Sequence, residues 1–336
     1  MTHELKHIVQ EFEEKKKLGR KSVLATVVAL DGSSYRRPGV RMLIFDNGDM
    51  VGAVSGGCVE KEVLRQAESV FATADGKVMV YDGRYRLGCE GILYILLEEF
   101  NPDAAFLDQF WDTIKTRQSF SISSYFEKEP GENPDYGTLF HFQNDTNPIN
   151  NSEVSDSKGL LQFEQEMHPC FQLVIIGAEH DAVQLCKYAT ATGWEVTVVA
   201  NPREEKSERD FPGIQQLISV EPEFYQPTLD NQTAVVVMTH SYVKDLQFLM
   251  ALREQKGIYI GLLGPLRRRE KLFDELMERC PDVSEEFLES VHGPAGIDIG
   301  AETPQEIAVS VVSEILTVVR GKEPTLLKHK MGRIHT

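Results

Sequence analysis

Apolar positions recur along this chain in two different rhythms. In the first half, Leu5, Ile8, Val9 and Phe12 fall at helical spacing and predict a helix over 3–18. Short apolar runs at 22–30 (SVLATVVAL), 40–45 (VRMLIF) and 50–54 (MVGAV) read as strands, the last two joined by the hairpin signal Asp46-Asn47-Gly48. A helix carrying Val59, Val63, Leu64, Ala67 and Val70 comes next. Strands follow at 77–81 and 92–97, then a helix over 103–115 and paired strands at 120–126 and 138–142. The stretch 144–158, NDTNPINNSEVSDSK, has only Ile149 and Val154 as aliphatic residues and reads as a mobile loop. The run at 160–163 reads as one more strand of the first domain, and the boundary is expected near Pro169.

From Phe171 the rhythm becomes strand, helix, strand. Strands at 172–176, 195–199, 234–238 and 258–262 alternate with helices at about 180–192, 243–255 and 267–279. A closing helix has Thr303 as N-cap, Pro304 in its first turn and Glu306 completing a capping box. The expected fold class is α/β: a mixed α/β domain over 1–169 and a Rossmann-like, doubly wound parallel sheet over 170–336.

Charge narrows the function classes. With 35 Lys and Arg against 52 Asp and Glu, the net charge is −17, which argues against nonspecific binding to nucleic acid or an anionic membrane. No apolar run approaches the roughly 20 residues that span a bilayer. The charged N-terminus lacks a signal-peptide core, so a cytoplasmic protein is expected. Five widely spaced cysteines without a C-x-x-C pair argue against a zinc site or disulfide framework, so a functional cysteine should be a reactive thiol, while Cys170, Cys186 and Cys280 read as packing or surface residues.

Three groups of residues suggest chemistry. The first is the run LVIIGAEHDA, spaced like a dinucleotide-binding turn: Gly177 follows the strand and Ala182 occupies the third small position. Glu179 replaces the middle glycine, and Asn201 stands where an acidic ribose ligand is usual. Both changes argue against NAD(P). If strand 234–238 is the fourth of its sheet, His180 and His240 face one crevice, with His292 and Asp298 on a glycine-rich loop that could close over it. The second group is Ser55-Gly56-Gly57-Cys58, between a strand and a helix, where a helix start favours the thiolate and paired glycines admit a ligand. Cys89, between glycines Gly88 and Gly91, is a second loop thiol. The third group is the loop holding Ser33, Ser34, Arg36, Arg37 and Arg41, suited to an anion such as phosphate; salt bridges to the chain's many carboxylates are the plain alternative.

Taken together, the runs GSSYRRPGVRMLIF, GAVSGGCVE, RLGCEGILYILLE, VVVMTHSYVKD, YIGLLGPLRRRE and VHGPAGIDIGAETP resemble the XdhC/CoxI accessory proteins of molybdenum hydroxylases. The resemblance implies a cytoplasmic homodimer that binds molybdenum cofactor. It also implies assistance in sulfuration of that cofactor and in its insertion into an apo molybdenum hydroxylase, with a cysteine desulfurase as a further partner. Binding rather than turnover would be its main task. Cys58 matches the family's Gly-Gly-Cys position, making it the expected metal ligand, and Cys89 the second Gly-Cys position. The candidate cofactor contacts are the basic loop, Ser55, Gly56, Gly57, Gly177, His180, His240 and Gly264. The other reading, from the Rossmann pattern alone, is an NAD(P)-dependent oxidoreductase.

Overall fold

The computed structural model describes residues 1–32, 34, 36–83, 91–143, 145–150 and 159–331, without the Cys58 side chain. The chain divides into two compact units, Met1–Pro169 and Cys170–Thr336.

The first unit contains α1 (Thr2–Lys16), β1 (Ser22–Asp31), β2 (Arg41–Phe45), β3 (Met50–Gly52), α2 (Cys58–Thr73), β4 (Gly76–Asp82) and β5 (Ile92–Glu99). It continues with α3 (Ala104–Lys115), β6 (Phe120–Phe126), β7 (Gly131–Asn133), β8 (Gly137–Phe142), β9 (Asp145–Pro148) and β10 (Leu161–Met167). An antiparallel sheet runs in the order β3-β2-β1-β5-β4-β7, and a smaller one in the order β10-β6-β8-β9. Strand alternation assigns the faces. Val23, Ala25 and Val27 of β1 pack against Val59, Val63, Ala67 and Val70 of α2. On the other face Leu24 joins Phe12, Phe100, Phe106, Phe110, Phe140 and Phe142 beneath α1 and α3.

The second unit contains β11 (Gln172–Ile176), α4 (His180–Ala191), β12 (Glu195–Ala200), β13 (Gln216–Ser219), β14 (Thr233–Val237) and α5 (Tyr242–Leu252). Then come β15 (Tyr259–Leu262), α6 (Leu266–Arg279), α7 (Glu285–Ser290), β16 (Val291–His292) and α8 (Pro304–Val319). The sheet order is β13-β12-β11-β14-β15-β16, and every pairing is parallel. This is the doubly wound arrangement expected from the alternation, with its strand order reversing between β11 and β14. Helices α4 and α8 cover one face, and α5 and α6 the other. The Thr303 capping box forms as read from the sequence.

Several elements differ from the sequence reading. Residues 145–148, inside the segment read as a mobile loop, form β9 against β8, and Ile149 after them is fully buried. Pairing to an existing sheet supplies what the polar sequence lacks. Asn144 and residues 151–158 of that segment lie outside the described residues. Likewise β7, with no apolar residue, forms by backbone pairing with β4. Strands β13 and β16 and helix α7 are too short for periodicity to reveal.

A polar seam cuts the core between the two sheets of the first unit. Thr26 lies between Leu24 and Val28, Glu98 between Leu96 and Phe100, Ser124 between Ile122 and Phe126, and Thr138 between Tyr136 and Phe140. Arg41 is paired with Thr26 in the sheet register. Thr138 donates to Glu98 Oε1 at 2.5 Å, and Ser124 Oγ lies 2.8 Å from the Thr138 hydroxyl. Burial, partly offset by the Thr138 bonds and by Arg41, pushes the Glu98 carboxyl up to about 7. Burial likewise pulls the Arg41 guanidinium down to about 10, against the opposing charge of Glu98.

The pH dependence follows. Between 4.5 and about 7 the folded chain holds a proton on Glu98 that the unfolded chain has released. Stability from this group is therefore full at the acid end and falls as pH rises through that window, by no more than about 3 kcal/mol. Urea unfolding at pH 5 and pH 7.5 should show this decline in the wild type and its absence in Glu98→Gln. Equal pH slopes in the two proteins would contradict it.

Candidate functional site

Register brings the motif loops of the first unit to one end of its larger sheet. Asp31 at the end of β1 pairs with Ile92 at the start of β5, which pairs with Asp82 at the end of β4. On the other side of β1, Met42 near the start of β2 pairs with Gly52, the last residue of β3. The loops 32–40, 53–57 and 83–91 therefore all leave from the same end. Ser33 and Cys89 lie outside the described residues.

Within the loop 53–57, Gly56 and Gly57 are exposed, and a Cβ added to either meets nothing within 4 Å among the described residues. Gly57 is the N-cap of α2 with φ +42°, so the backbone of Cys58 opens the helix as the sequence implied. The Ser55 N–H is already used, donating to Glu60 Oε1 at 2.9 Å. Glu60 thus brings a negative charge into the turn where the helix dipole favours the thiolate. In the basic loop Arg37 is exposed, and Ser34 and Arg36 are half-buried. Ser34 Oγ accepts from Arg36 N at 3.4 Å. Arg41 stands apart from them: its side chain is 7% exposed and bonds to the Gly39 carbonyl (2.9 Å) and Gln165 Oε1 (2.7 Å). The structure thus gives Arg41 an interior position rather than a place among the surface ligands.

In the second unit β14 is the fourth strand and lies beside β11, so His180, the first residue of α4, and His240, on the loop after β14, stand at the crevice where strand order reverses. His240, with φ +57°, holds Nε2 3.5 Å from Asp181 Oδ2. Gly177 has φ +131°, and a Cβ there would lie 2.4 Å from the Met238 carbonyl oxygen. Its smallness serves the close approach of the β11 and β14 loops. A Cβ at Gly264 would meet Arg268 Cδ at 2.7 Å. Arg268 in turn pairs with buried Asp245 at 2.5 Å, and Asp245 accepts from Thr239 N and Thr239 Oγ1. Asn201 caps the turn after β12 by accepting from Arg203 N, while its amide donates to Glu221.

Further along the same sheet edge, His292 stacks on Tyr259 and pairs with Glu314 at 3.2 Å. Glu314 also accepts from Tyr259 OH (2.5 Å) and Gly296 N (2.7 Å). Burial works to raise the Glu314 carboxyl, but bonds from His292, Tyr259 and Gly296 prevail and lower it. Burial, with the Glu314 charge, raises the Tyr259 hydroxyl. Asp298 lines a cavity of about 430 Å³ with Glu314, Thr317 and Lys322.

Comparison with known proteins assigns the family. The XdhC Rossmann domain matches residues 173–315, and the XdhC and CoxI family model matches residues 16–82. The chain belongs to the XdhC and CoxI family. It is 29% identical over 317 residues to a Bacillus subtilis protein named as a probable subunit of xanthine dehydrogenase, covering 88% of this chain and 92% of that one. It is 24% identical over 305 residues to the Escherichia coli molybdenum cofactor insertion chaperone PaoD, covering 89% and 84%. A crystal structure of a Bacillus halodurans protein described as a xanthine dehydrogenase superposes with a TM-score of 0.76 at 23% identity, over 94% of this chain and 96% of that one. That likeness establishes the shared fold.

Sequence reasoning missed the buried partners: Glu98, Asp245 with Arg268, and Glu314 with Tyr259. Asp245 was visible in the run THSYVKD, but nothing in a first-turn Asp distinguishes a buried anchor from a solvated one. Among the described residues no three His, Cys, Asp or Glu side chains group as a metal site.

The glycines divide into two kinds, and substitution should reveal it. Gly177→Ala should cost more than about 1 kcal/mol, since a Cβ there collides with backbone. Gly56→Ala, opening on free space, should stay within about 0.5 kcal/mol of wild type. Urea unfolding of both variants checks this, and equal costs would contradict it.

Proposed function

We propose that this protein is a molybdenum-cofactor insertion chaperone for a xanthine dehydrogenase-type enzyme. The cofactor is its cargo, carried at the sheet end from which loops 32–40, 53–57 and 83–91 leave. The observation that supports this location most is the open backbone at Gly56-Gly57, at the same sheet end as a loop with an exposed Arg37. Ser34, Arg36 and Arg37 would hold the cofactor's phosphate through charge-assisted hydrogen bonds. The bare glycine backbone would let the pterin approach. Cys58, at the first residue of α2, would offer a soft thiolate to molybdenum or relay sulfur as a persulfide, with Cys89 as second thiol. The names of the Bacillus subtilis and Escherichia coli relatives support the cargo and the client. Sulfuration with a cysteine desulfurase, a homodimeric state and a cytoplasmic location belong to the same reading. Among the described residues no helix is long and apolar enough to cross a membrane.

The competing role of an NAD(P)-dependent oxidoreductase finds less support. The start of α4 carries Glu179 as N-cap and Asp181 in the first turn, where a pyrophosphate would need positive potential. Calorimetric titration with NAD and NADP should therefore give no tight binding. A low-micromolar dissociation constant would overturn that expectation.

The cargo site is tested by comparing Cys58→Ala, Cys89→Ala, Gly56→Ala and the control Cys170→Ala after anaerobic purification from a host that makes the cofactor. Molybdenum content and activation of the apo-hydroxylase are read at matched thermal stability. Cys58→Ala should lower molybdenum content about tenfold or more, the scale on which changes around a metal act. Gly56→Ala should lower it with stability unchanged, Cys89→Ala should have the weaker effect of the two thiols, and Cys170→Ala should leave it near wild type. Wild-type content in both Cys58→Ala and Gly56→Ala would remove this end of the sheet from the function.

A further inference from the structure

We propose that Arg41 is the positioning residue of the basic loop, fixing residues 36–40 from inside the core through the carbonyl of Gly39. One nitrogen of its guanidinium, Nη1, bonds to both the Gly39 carbonyl and Gln165 Oε1. Gln165 lies directly under the loop, where a Cβ added to Gly39 would come within 2.5 Å of its amide. The β1 backbone also holds Gly39, together with Val40 after it. Gly39 N–H donates to the Val27 carbonyl (2.8 Å), and Val27 N–H donates to the Val40 carbonyl (3.0 Å). The loop stem is thus clamped between a strand edge and a buried cation.

The seam is a costly way to hold a fold together. Arg41 Nε and Nη2, Glu98 Oε2 and Thr26 Oγ1 are all buried without a hydrogen-bond partner among the described residues. Each such atom carries a desolvation cost that no bond offsets. Buried charge pairs in general yield little net stability, and apolar residues of similar volume often do as well or better. An apolar pair could fill this seam. It could not draw the Gly39 carbonyl inward, so what the buried charge contributes is geometric: it sets the stem from which Arg36 and Arg37 project. This inference rests on the proposed function only for what the loop then grips.

The test uses the full chain and reads the loop separately from global stability. Amide exchange of residues 36–40 and trypsin cleavage after Arg36 report the loop, the following Arg37-Pro38 bond being resistant. In Arg41→Leu/Glu98→Leu both charges go and the seam stays filled. Thermal stability should hold or rise, while loop exchange and cleavage speed up about tenfold, the scale of losing a hydrogen bond to a charged group. Arg41→Lys keeps the charge but ends one bond short of the Nη1 position that reaches both the Gly39 carbonyl and Gln165 Oε1, and should accelerate both by a smaller factor. Unchanged loop protection in the double variant at matched stability overturns the proposal; if that variant does not fold, unchanged protection in Arg41→Lys does so. A loosened loop with molybdenum content intact upholds Arg41 as the positioning residue and overturns the loop's part in the proposed function. A loosened loop with lost molybdenum upholds both.

Discussion

The first unit depends on the antiparallel pairing of β1 with β2 on one side and β5 on the other. That double pairing fixes which residues of β1 face α2 and which face the phenylalanine-rich core. A shift of one residue would exchange Val23, Ala25 and Val27 for Leu24, Thr26 and Val28 and put Thr26 against an apolar helix. The register holds because one face is wholly apolar and the other contains a polar seam that accepts Thr26. The same register brings three motif loops, far apart in sequence, to one end of the sheet. The irregularity in the β1–β5 pairing between Val27 and Ala29 falls where the stem of the basic loop lies along β1. Core pairing and loop placement are thus set by one strand.

Electrostatics at the helix starts follows a common pattern. Glu60 binds the Ser55 N–H ahead of α2, Asp181 pairs with His240 at the start of α4, and Glu306 closes the capping box of α8. In an acidic chain the positive ends of helices are largely served by the chain's own carboxylates. This weakens the case for anion binding at the Rossmann crevice, where two carboxylates stand in one turn. It does not weaken it at the basic loop, whose positive charge comes from side chains. The second unit has kept the strand order of a nucleotide-binding sheet while its crevice is tied together by its own residues: Asn201 to Glu221, Asp245 to Arg268, and Gly177 against Met238.

The legible and illegible parts of this structure separate along physical lines. The parallel sheet of the second unit was readable because its central strands are buried on both faces and appear as unbroken runs such as LVII and AVVV. The capping box at Thr303 was readable because it is local. Strands β7 and β9 were not, since their sequences GEN and DTNP carry no apolar signal and they exist through pairing to β4 and β8. The loop arginines show the same limit. Arg36, Arg37 and Arg41 look equivalent in sequence, but the alternation that would have sent Arg41 inward with Leu43 and Phe45 was outweighed by its charge. A buried arginine is rare enough that sequence reasoning assigns it to solvent, and only the seam across the sheets reveals its partners.

The glycines carry the last step. In a ligand-binding loop a glycine matters for the space it leaves, and that space is either filled by the protein or open. Gly177 is filled by the Met238 carbonyl, Gly264 by Arg268, and Gly39 by Gln165. Each of these residues could be small for reasons of folding alone. Among the described residues Gly56 and Gly57 face nothing within 4 Å, and Gly57 sits with positive φ at the cap of α2. The φ of +42° calls for glycine at position 57; at Gly56, which costs backbone entropy, no neighbouring atom among the described residues accounts for the glycine. Packing therefore explains Gly177 and Gly264, and positive φ explains Gly57; Gly56, between Ser55 and Gly57 and two residues before Cys58, has neither reason among the described residues, and there a ligand from outside the chain has room to reach the backbone.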